Sequence, residues 1–107
     1  MEVYGHFGPG LLESVYEKAM IRELQLRGLA VQSQVSLPIL YKGAPVGDDL
    51  RIDLLVEGEL IVELKSVEEI KDVFYKQLRT YLKLLGKSEG LLINFGEYEF
   101  KNGLRRV

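Results

Sequence analysis

The fold of this chain is decided by residues 50–65, which read Leu-Arg-Ile-Asp-Leu-Leu-Val-Glu-Gly-Glu-Leu-Ile-Val-Glu-Leu-Lys. Two segments rich in apolar residues flank the short turn Glu57-Gly58-Glu59, a pattern typical of a β-hairpin. Alternation in the first segment predicts one buried face, formed by Leu50, Ile52, Leu54 and Val56. In the second segment we expect the inward-facing residues to be Leu60, Val62 and Leu64. The polar residues of both strands should then share the opposite face.

Asp53 and Glu63 lie on this polar face. Because the turn has three residues, position 53 falls opposite position 63, where paired Cβ atoms are about 4.5–5.5 Å apart. Two facing carboxylates destabilise a sheet unless a positive charge lies near them, and Lys65 points to the same face as Glu63. The pair is either a metal seat beside an ammonium group or a solvent-facing polar side with an Asp–Lys ion pair. Val62 and Leu64 favour the metal seat, because charges within an interior strand are rarely left unpaired.

The segments before the hairpin predict a helix and an edge strand. The break Gly8-Pro9-Gly10 is followed by apolar residues at helical spacing from Leu12 to Leu24, and Gly28 is typical of a helix stop. From Val31 to Tyr41 the apolar period becomes two, which predicts a half-buried strand. Pro38 favours an edge position for this strand, because proline donates no ladder hydrogen bond.

The segments after the hairpin predict a helix and two further strands. Residues 66–69, Ser-Val-Glu-Glu, match a capping box, so we expect a helix over 67–86. Residues 90–95 are apolar on both faces, which predicts a strand parallel to the second hairpin strand, with the helix as crossover. A short last strand is expected from Tyr98 to Lys101. The predicted order is α-β-β-β-α-β-β, a single α/β (α+β) domain over residues 1–107 with one mixed sheet flanked by helices.

Composition limits the chemistry that the chain can perform. The 107 residues include no cysteine and one histidine, which excludes disulfides, thiolate zinc sites, cysteine nucleophiles and sites built on several imidazoles. A metal would be held mainly by oxygen ligands, which favours Mg²⁺, Mn²⁺ or Ca²⁺. The net charge of −2 argues against a tight, static DNA binder, although the C-terminal third is basic. With no apolar run long enough to span a membrane, we expect a cytoplasmic protein without a membrane partner.

Two further polar residues are candidates for the site. Gln77 lies within the apolar stripe of the helix that follows the hairpin, four residues before Tyr81, so it could reach the carboxylates. Glu13 lies at the rim of the apolar stripe of the first helix and is a candidate third carboxylate. It is also typical of a first-turn acid that the helix dipole favours, and both interpretations stay open.

Several motifs in order resemble those of a known family. Asp53 followed by Glu63-Leu64-Lys65 resembles the D…ExK core of the PD-(D/E)XK nuclease superfamily, although Ile52 replaces the usual proline before the aspartate. Residues 77–81, Gln-Leu-Arg-Thr-Tyr, resemble the QxxxY motif of its RecB-like branch. The whole chain is similar to the bacterial GxxExxY proteins, whose naming motif matches residues 10–16. That family usually has a longer N-terminal helix, so we expect a truncated N-terminus, with apolar surface that a partner subunit could cover in a homodimer.

The resemblance implies a restriction-endonuclease-like core and a nuclease that hydrolyses phosphodiester bonds of nucleic acid, expected to be DNA. In such nucleases the two strand carboxylates are catalytic and bind the metal, and here they would be Asp53 and Glu63. The main-chain carbonyl of Leu64 and the carboxylate of Glu13 would complete the metal site. The implied cofactor is Mg²⁺ or Mn²⁺.

The resemblance also implies roles for the basic and amide residues. Lys65 would be the catalytic base or charge stabiliser. Gln77 would position Lys65 or the substrate, and Tyr81 would orient Gln77. Two alternatives stay open: a nuclease-like module that binds nucleic acid or a protein without cleavage, and an interaction protein whose polar face only closes a dimer.

Overall fold

The computed structural model describes residues 2–97 and 104–107. In chain order its elements are α1 (Glu2–Phe7), α2 (Glu13–Leu26), β1 (Val31–Leu37), β2 (Leu40–Tyr41), β3 (Ala44–Pro45), β4 (Leu50–Val56), β5 (Leu60–Lys65), α3 (Asp72–Leu85), β6 (Glu89–Asn94) and β7 (Leu104–Arg106). The hairpin predicted from residues 50–65 is therefore β4–β5, and its turn is residues 57–59.

Within the described ranges, a mixed sheet of five strands organises the fold, in the order β1-β4-β5-β6-β7. Strand β4 runs antiparallel to both β1 and β5, whereas β5 and β6 are parallel and are connected through α3. The prediction of a mixed sheet flanked by helices is confirmed, and so are the edge position of β1 and the parallel β5–β6 pair. The architecture is consistent with a restriction-endonuclease-like fold.

Helices cover both faces of this sheet. On one face α2 contributes the buried Tyr16 and Met20 to a core that also contains Leu54, Val56, Val62, Leu64, Ile93 and Phe95. On the other face α3 packs Leu78, Tyr81 and Leu82 against Ile52, Leu55, Ile61 and Leu92. The central strand β5 is consequently buried on both sides, and a charged residue on it is withdrawn from solvent.

Strand β4 changes face at Asp53, so the prediction of a single apolar face for this strand was wrong. Leu54 packs in the core that α2 covers, whereas Ile52 packs in the core under α3. In the neighbouring strand the backbone of Gln34 is left-handed, with φ 50°, and the ladder resumes on either side with Ser33 opposite Leu54 and Val35 opposite Ile52. This local rotation exchanges the faces that the two strands present, which a regular period of two cannot show.

Helix α3 begins at Asp72 rather than at residue 67, so the predicted capping box does not form. The Ser66 hydroxyl instead donates to the Leu11 carbonyl at 2.9 Å, and Val67 is held by the buried side chain of Asn94. The side-chain amide of Asn94 accepts a hydrogen bond from the Val67 N–H and donates one to the Val67 carbonyl. These backbone groups are therefore not used in a helix. The predicted C-terminal end is confirmed, since Gly86 is left-handed with φ 70°.

Two predicted strands differ in extent. The strand predicted from Val31 to Tyr41 ends at Leu37, before Pro38, and the chain then forms the small β2–β3 hairpin. Proline at this position cannot extend the ladder, which explains the break. The last strand, predicted from Tyr98 to Lys101, lies outside the described residues. The strand that pairs antiparallel with β6 is β7, at Leu104–Arg106.

Gly96 is required where the chain leaves β6. A Cβ atom at this position would lie 2.1 Å from the Val67 carbonyl oxygen, whereas a Cβ at Gly5 of α1 would meet no atom within 4 Å. We expect Gly96→Ala to lower the free energy of unfolding by roughly 2–3 kcal/mol, because the obstructing atoms are backbone. Gly5→Ala, the matched control, should be neutral or slightly stabilising. Urea denaturation measures both, and equal stability of the two variants would contradict the close approach.

Candidate active site

The two carboxylates predicted to face each other do so at the open end of the β4–β5 hairpin. The ladder pairs Val56 with Leu60 and Leu54 with Val62, and this register places Asp53 opposite Glu63. Glu63 Oε1 accepts a hydrogen bond from the Asp53 N–H at 3.3 Å, and Asp53 Oδ2 accepts one from the Leu64 N–H at 2.8 Å. Each carboxylate therefore binds the backbone of the opposite strand, beyond the last regular pair of the ladder.

Glu63 is the most constrained acid of this pair. It lies on the central strand with 5% of its surface exposed, and Asp53 is half-buried beside it. Burial, followed by the charge of Asp53, raises the pKa of the Glu63 carboxyl to about 8, and Lys65 opposes this rise. At neutral pH the pair consequently tends to carry one negative charge and one proton, as expected for two carboxyl groups without a cation between them.

Lys65 ends β5 and turns toward α3. Its Nζ lies 4.7 Å from the centroid of the Phe74 ring, a distance at which the ring's negative face attracts an ammonium group. In the described part of the chain Lys65 forms no ion pair, so its charge acts on the acids across a gap. The contact with Phe74 holds the ammonium group near the carboxylate pair and leaves its positive charge in place.

Glu13 begins α2 and approaches the same region from the other side. Removal of water from its carboxyl raises its pKa, Lys65 lowers it, and Asp53 raises it, so all three side chains lie within electrostatic reach of one another. Residues 2–97 and 104–107 contain no group of three histidine, cysteine or acidic side chains arranged to hold a metal ion. The structure therefore brings Glu13 near the pair but does not assemble a three-carboxylate cluster.

Gln77 and Tyr81 reach the site from α3. Gln77 Nε2 donates a hydrogen bond to the Tyr81 hydroxyl at 2.8 Å, and the amide side chain is otherwise exposed. Burial and then the charge of Glu63 raise the pKa of the Tyr81 hydroxyl, with a further contribution from Asp53, while the hydrogen bond to Gln77 lowers it. The two residues singled out in the helix thus contact each other, one turn apart, beside the carboxylate pair.

Sequence reasoning missed the contacts that hold the two sides of the site together. The fully buried Asn94 pairs in register with Lys65, and its side chain fixes Val67 just beyond the site. Tyr16 stacks on Phe95 with ring centroids 4.2 Å apart, and its hydroxyl donates to the Gly8 carbonyl and accepts from the Leu11 N–H. An asparagine in an otherwise apolar strand was the available signal, but its partners are distant in sequence.

Comparison with known proteins identifies the family. A family model described as the PD-(D/E)XK nuclease superfamily matches residues 1–107. The chain belongs to this superfamily. No curated protein and no solved structure matches the chain. No helix of the described residues is long and apolar enough to cross a membrane.

PD-(D/E)XK nucleases generally use divalent metals, and the residues of this site fit such an ion. The residues expected to hold the ion would all supply oxygen ligands: the carboxylates of Asp53 and Glu63, and the main-chain carbonyl of Leu64. One oxygen of each carboxylate accepts the backbone hydrogen bond described above, and the two carboxyl groups also share a side-chain hydrogen bond, which a bound ion would replace. The Glu63 carboxyl retains a proton because too little positive charge lies near the two acids. A hard divalent cation would supply that charge.

The pKa of Glu63 predicts a pH dependence of stability. Its folded value of about 8 lies above the ordinary 4.5, so the folded state binds the proton more tightly and stability is lost as pH rises between these values. With metal removed by EDTA, the wild type should lose roughly 2–4 kcal/mol of unfolding free energy between mildly acidic and mildly basic pH. We expect Glu63→Gln to abolish this loss. The amide oxygen of Gln keeps an acceptor for the Asp53 N–H.

Urea denaturation at mildly acidic and mildly basic pH measures this difference. Glu68→Gln is the matched control, because Glu68 is exposed in the loop after β5 and should follow the wild-type curve. A Glu63→Gln curve that runs parallel to that of the wild type would show that the carboxyl is ionised at neutral pH.

Proposed function

We propose that this protein is a metal-dependent nuclease that hydrolyses phosphodiester bonds of nucleic acid. Membership of the PD-(D/E)XK nuclease superfamily suggests a nuclease. The observation that carries the proposal is the buried Asp53–Glu63 pair, held by reciprocal backbone hydrogen bonds with the ammonium of Lys65 beside it. A structural ion pair would bring Lys65 into contact with Asp53 or Glu63, and among the described residues Lys65 forms no ion pair.

We assign the metal-binding role to Asp53, Glu63 and the Leu64 carbonyl, with Glu13 as a supplementary acid. A bound Mg²⁺ or Mn²⁺ would supply Lewis-acid stabilisation of the charge that develops on the phosphate. The backbone hydrogen bonds keep the two carboxylates at the hairpin end before any ion arrives. Such preorganisation lowers the cost of forming the site, because the acids need not be gathered from mobile positions.

Lys65 is assigned to the proton and charge chemistry. When a water oxygen forms the new bond to phosphorus and the bond to the leaving oxygen breaks, negative charge accumulates on the phosphate oxygens and the water loses a proton. Lys65 stabilises that charge as an ammonium or accepts that proton as an amine. Gln77 is a positioning residue for Lys65 or the substrate, and its bond to Tyr81 limits its rotation.

The proposal extends to DNA as the nucleic acid, to a cytoplasmic location and to a homodimer. The exposed aromatic ring of Phe7 in the short helix α1 supports an apolar contact with a second copy.

We expect Lys65→Ala to reduce metal-dependent phosphodiester cleavage about 10²-fold or more, the usual scale for a charge-stabilising or acid–base group. Lys87→Ala is the matched control: Lys87 pairs with Glu59 at the start of β5, the opposite end from Lys65, and should cleave as the wild type. Gln77→Ala should reduce cleavage less, because its role is orientation. The measurement is cleavage of supercoiled, single-stranded and branched substrates with Mn²⁺.

The outcomes separate the function classes. Equal activity of Lys65→Ala and Lys87→Ala would contradict the assignment of Lys65. A wild-type protein that binds Mg²⁺ or Mn²⁺ but cleaves no substrate would indicate the nuclease-like module without cleavage. A protein that binds no divalent ion at all would indicate an interaction protein.

A further inference from the structure

An open groove of about 720 Å³ runs along α3 beside the proposed active site. Its walls are mainly apolar, from Ile39, Leu50, Val73 and Leu84, and it extends to Lys65 at the carboxylate pair. We call this surface the α3 groove. The stretch of α3 from residue 73 to residue 84 is roughly 16 Å long at the rise of an α-helix. The groove is therefore larger than a site for one phosphate group, and it shares Lys65, Gln77 and Tyr81 with the proposed active site.

Two of the groove's apolar residues are exposed and lie outside the core clusters of the described residues. Val73 is 61% exposed and Leu84 is 42% exposed, on a helix whose other large apolar residues pack into the core under the sheet. Among the described residues, the polar lining consists of an amide, two hydroxyls and the two cations Lys65 and Lys76, with no carboxylate. An apolar groove bordered by cations fits a ligand with an apolar body and anionic groups.

The charge of α3 points to the same ligand. The helix carries Lys76, Arg79 and Lys83 against the single carboxylate of Asp72, in a chain whose net charge is −2. Lys76 lines the groove, whereas Arg79 and Lys83 are exposed elsewhere on the helix surface and add to its positive field. This local reversal of the overall charge attracts a polyanion to α3 rather than to the molecule as a whole.

We propose that the α3 groove is a base-binding subsite that makes single-stranded nucleic acid, rather than duplex, the substrate of the adjacent site. The proposal rests on the nuclease function, because the single strand is a substrate only if the site cleaves it. The binding can be measured separately from cleavage. Unpaired bases lie against the apolar walls, Gln77 and Thr80 offer hydrogen bonds to their edges, and Lys65 and Lys76 contact the phosphates. The strand thereby leads directly to the Asp53–Glu63 pair.

A duplex does not satisfy this groove. Its bases are stacked inside, and it presents charged phosphates and polar sugars to a protein surface, so the walls at Val73 and Leu84 would remain in contact with polar groups. A single strand exposes base faces, and proteins that bind single strands combine contacts to those faces, chiefly from aromatic rings such as Phe74 in this groove, with cations along the backbone. The lysines serve both ligands, whereas the apolar walls discriminate between them.

The experiment compares binding of a fluorescent oligothymidylate of about 15 nucleotides with its duplex with oligoadenylate, in EDTA so that nothing is cleaved. We expect the wild type to bind the single strand about tenfold more tightly. The double variant Val73→Ser, Leu84→Ser should lose most of this preference and leave duplex binding unchanged. Both positions are exposed, so the fold should be retained, which circular dichroism checks. Leu26→Ser is the matched control, since Leu26 is 63% exposed on α2 and does not line the groove.

Three results would overturn the inference. These are a wild type that binds the duplex as tightly as the single strand, a double variant that keeps the wild-type preference, and a wild-type dimer that the double variant converts to a monomer in sedimentation. The last result would assign the groove to a second copy of the chain.

Cleavage with Mn²⁺, measured on both substrates, separates this inference from the nuclease proposal. Cleavage without preference for the single strand would remove the subsite and keep the nuclease. Groove-dependent single-strand binding without any cleavage would keep the subsite and remove the nuclease.

Discussion

The carboxylates of Asp53 and Glu63 face each other across the open end of the β4–β5 hairpin, and each accepts a hydrogen bond from a backbone N–H of the opposite strand. Two ionised carboxylates that face each other repel one another, and the burial of Glu63 increases the free-energy cost of ionising both. The fold tolerates the arrangement because the backbone bonds and a retained proton stabilise it. A divalent cation would replace that proton and remove the repulsion, and the function that we propose depends on this exchange.

The rest of the fold keeps this pair in place from both sides of the sheet. Helix α3 covers the face on which Lys65 and Tyr81 lie, and α2 brings Glu13 from the other side. The loop after β5 is fixed at Val67 by the Asn94 side chain and by the close approach of Gly96. These contacts set the direction of the chain just after Lys65. These contacts come from residues far from the acids in sequence. They stabilise the end of the β4–β5 hairpin, which would be only marginally stable by itself.

The local features of the site could be predicted from sequence, because they depend on neighbouring residues. The turn length sets the register that brings Asp53 and Glu63 together, and the four-residue spacing of Gln77 and Tyr81 brings their side chains into contact on one helix face. Features that depend on tertiary contacts could not be predicted. The capping pattern at Ser66 is overridden by Asn94, and the left-handed backbone of Gln34 changes the faces of β4 although no glycine marks the position.

The most direct test of this account is whether a metal ion displaces the proton that the acid pair retains. Calorimetric titration of Mn²⁺ at neutral pH, repeated in buffers of different ionisation enthalpy, gives the number of protons released per ion bound. The raised pKa of Glu63, about 8, predicts a release close to one proton, and Asp53→Asn should abolish binding while leaving the fold intact. Binding without proton release, or wild-type binding by Asp53→Asn, would contradict the claim that these two carboxylates form the metal site.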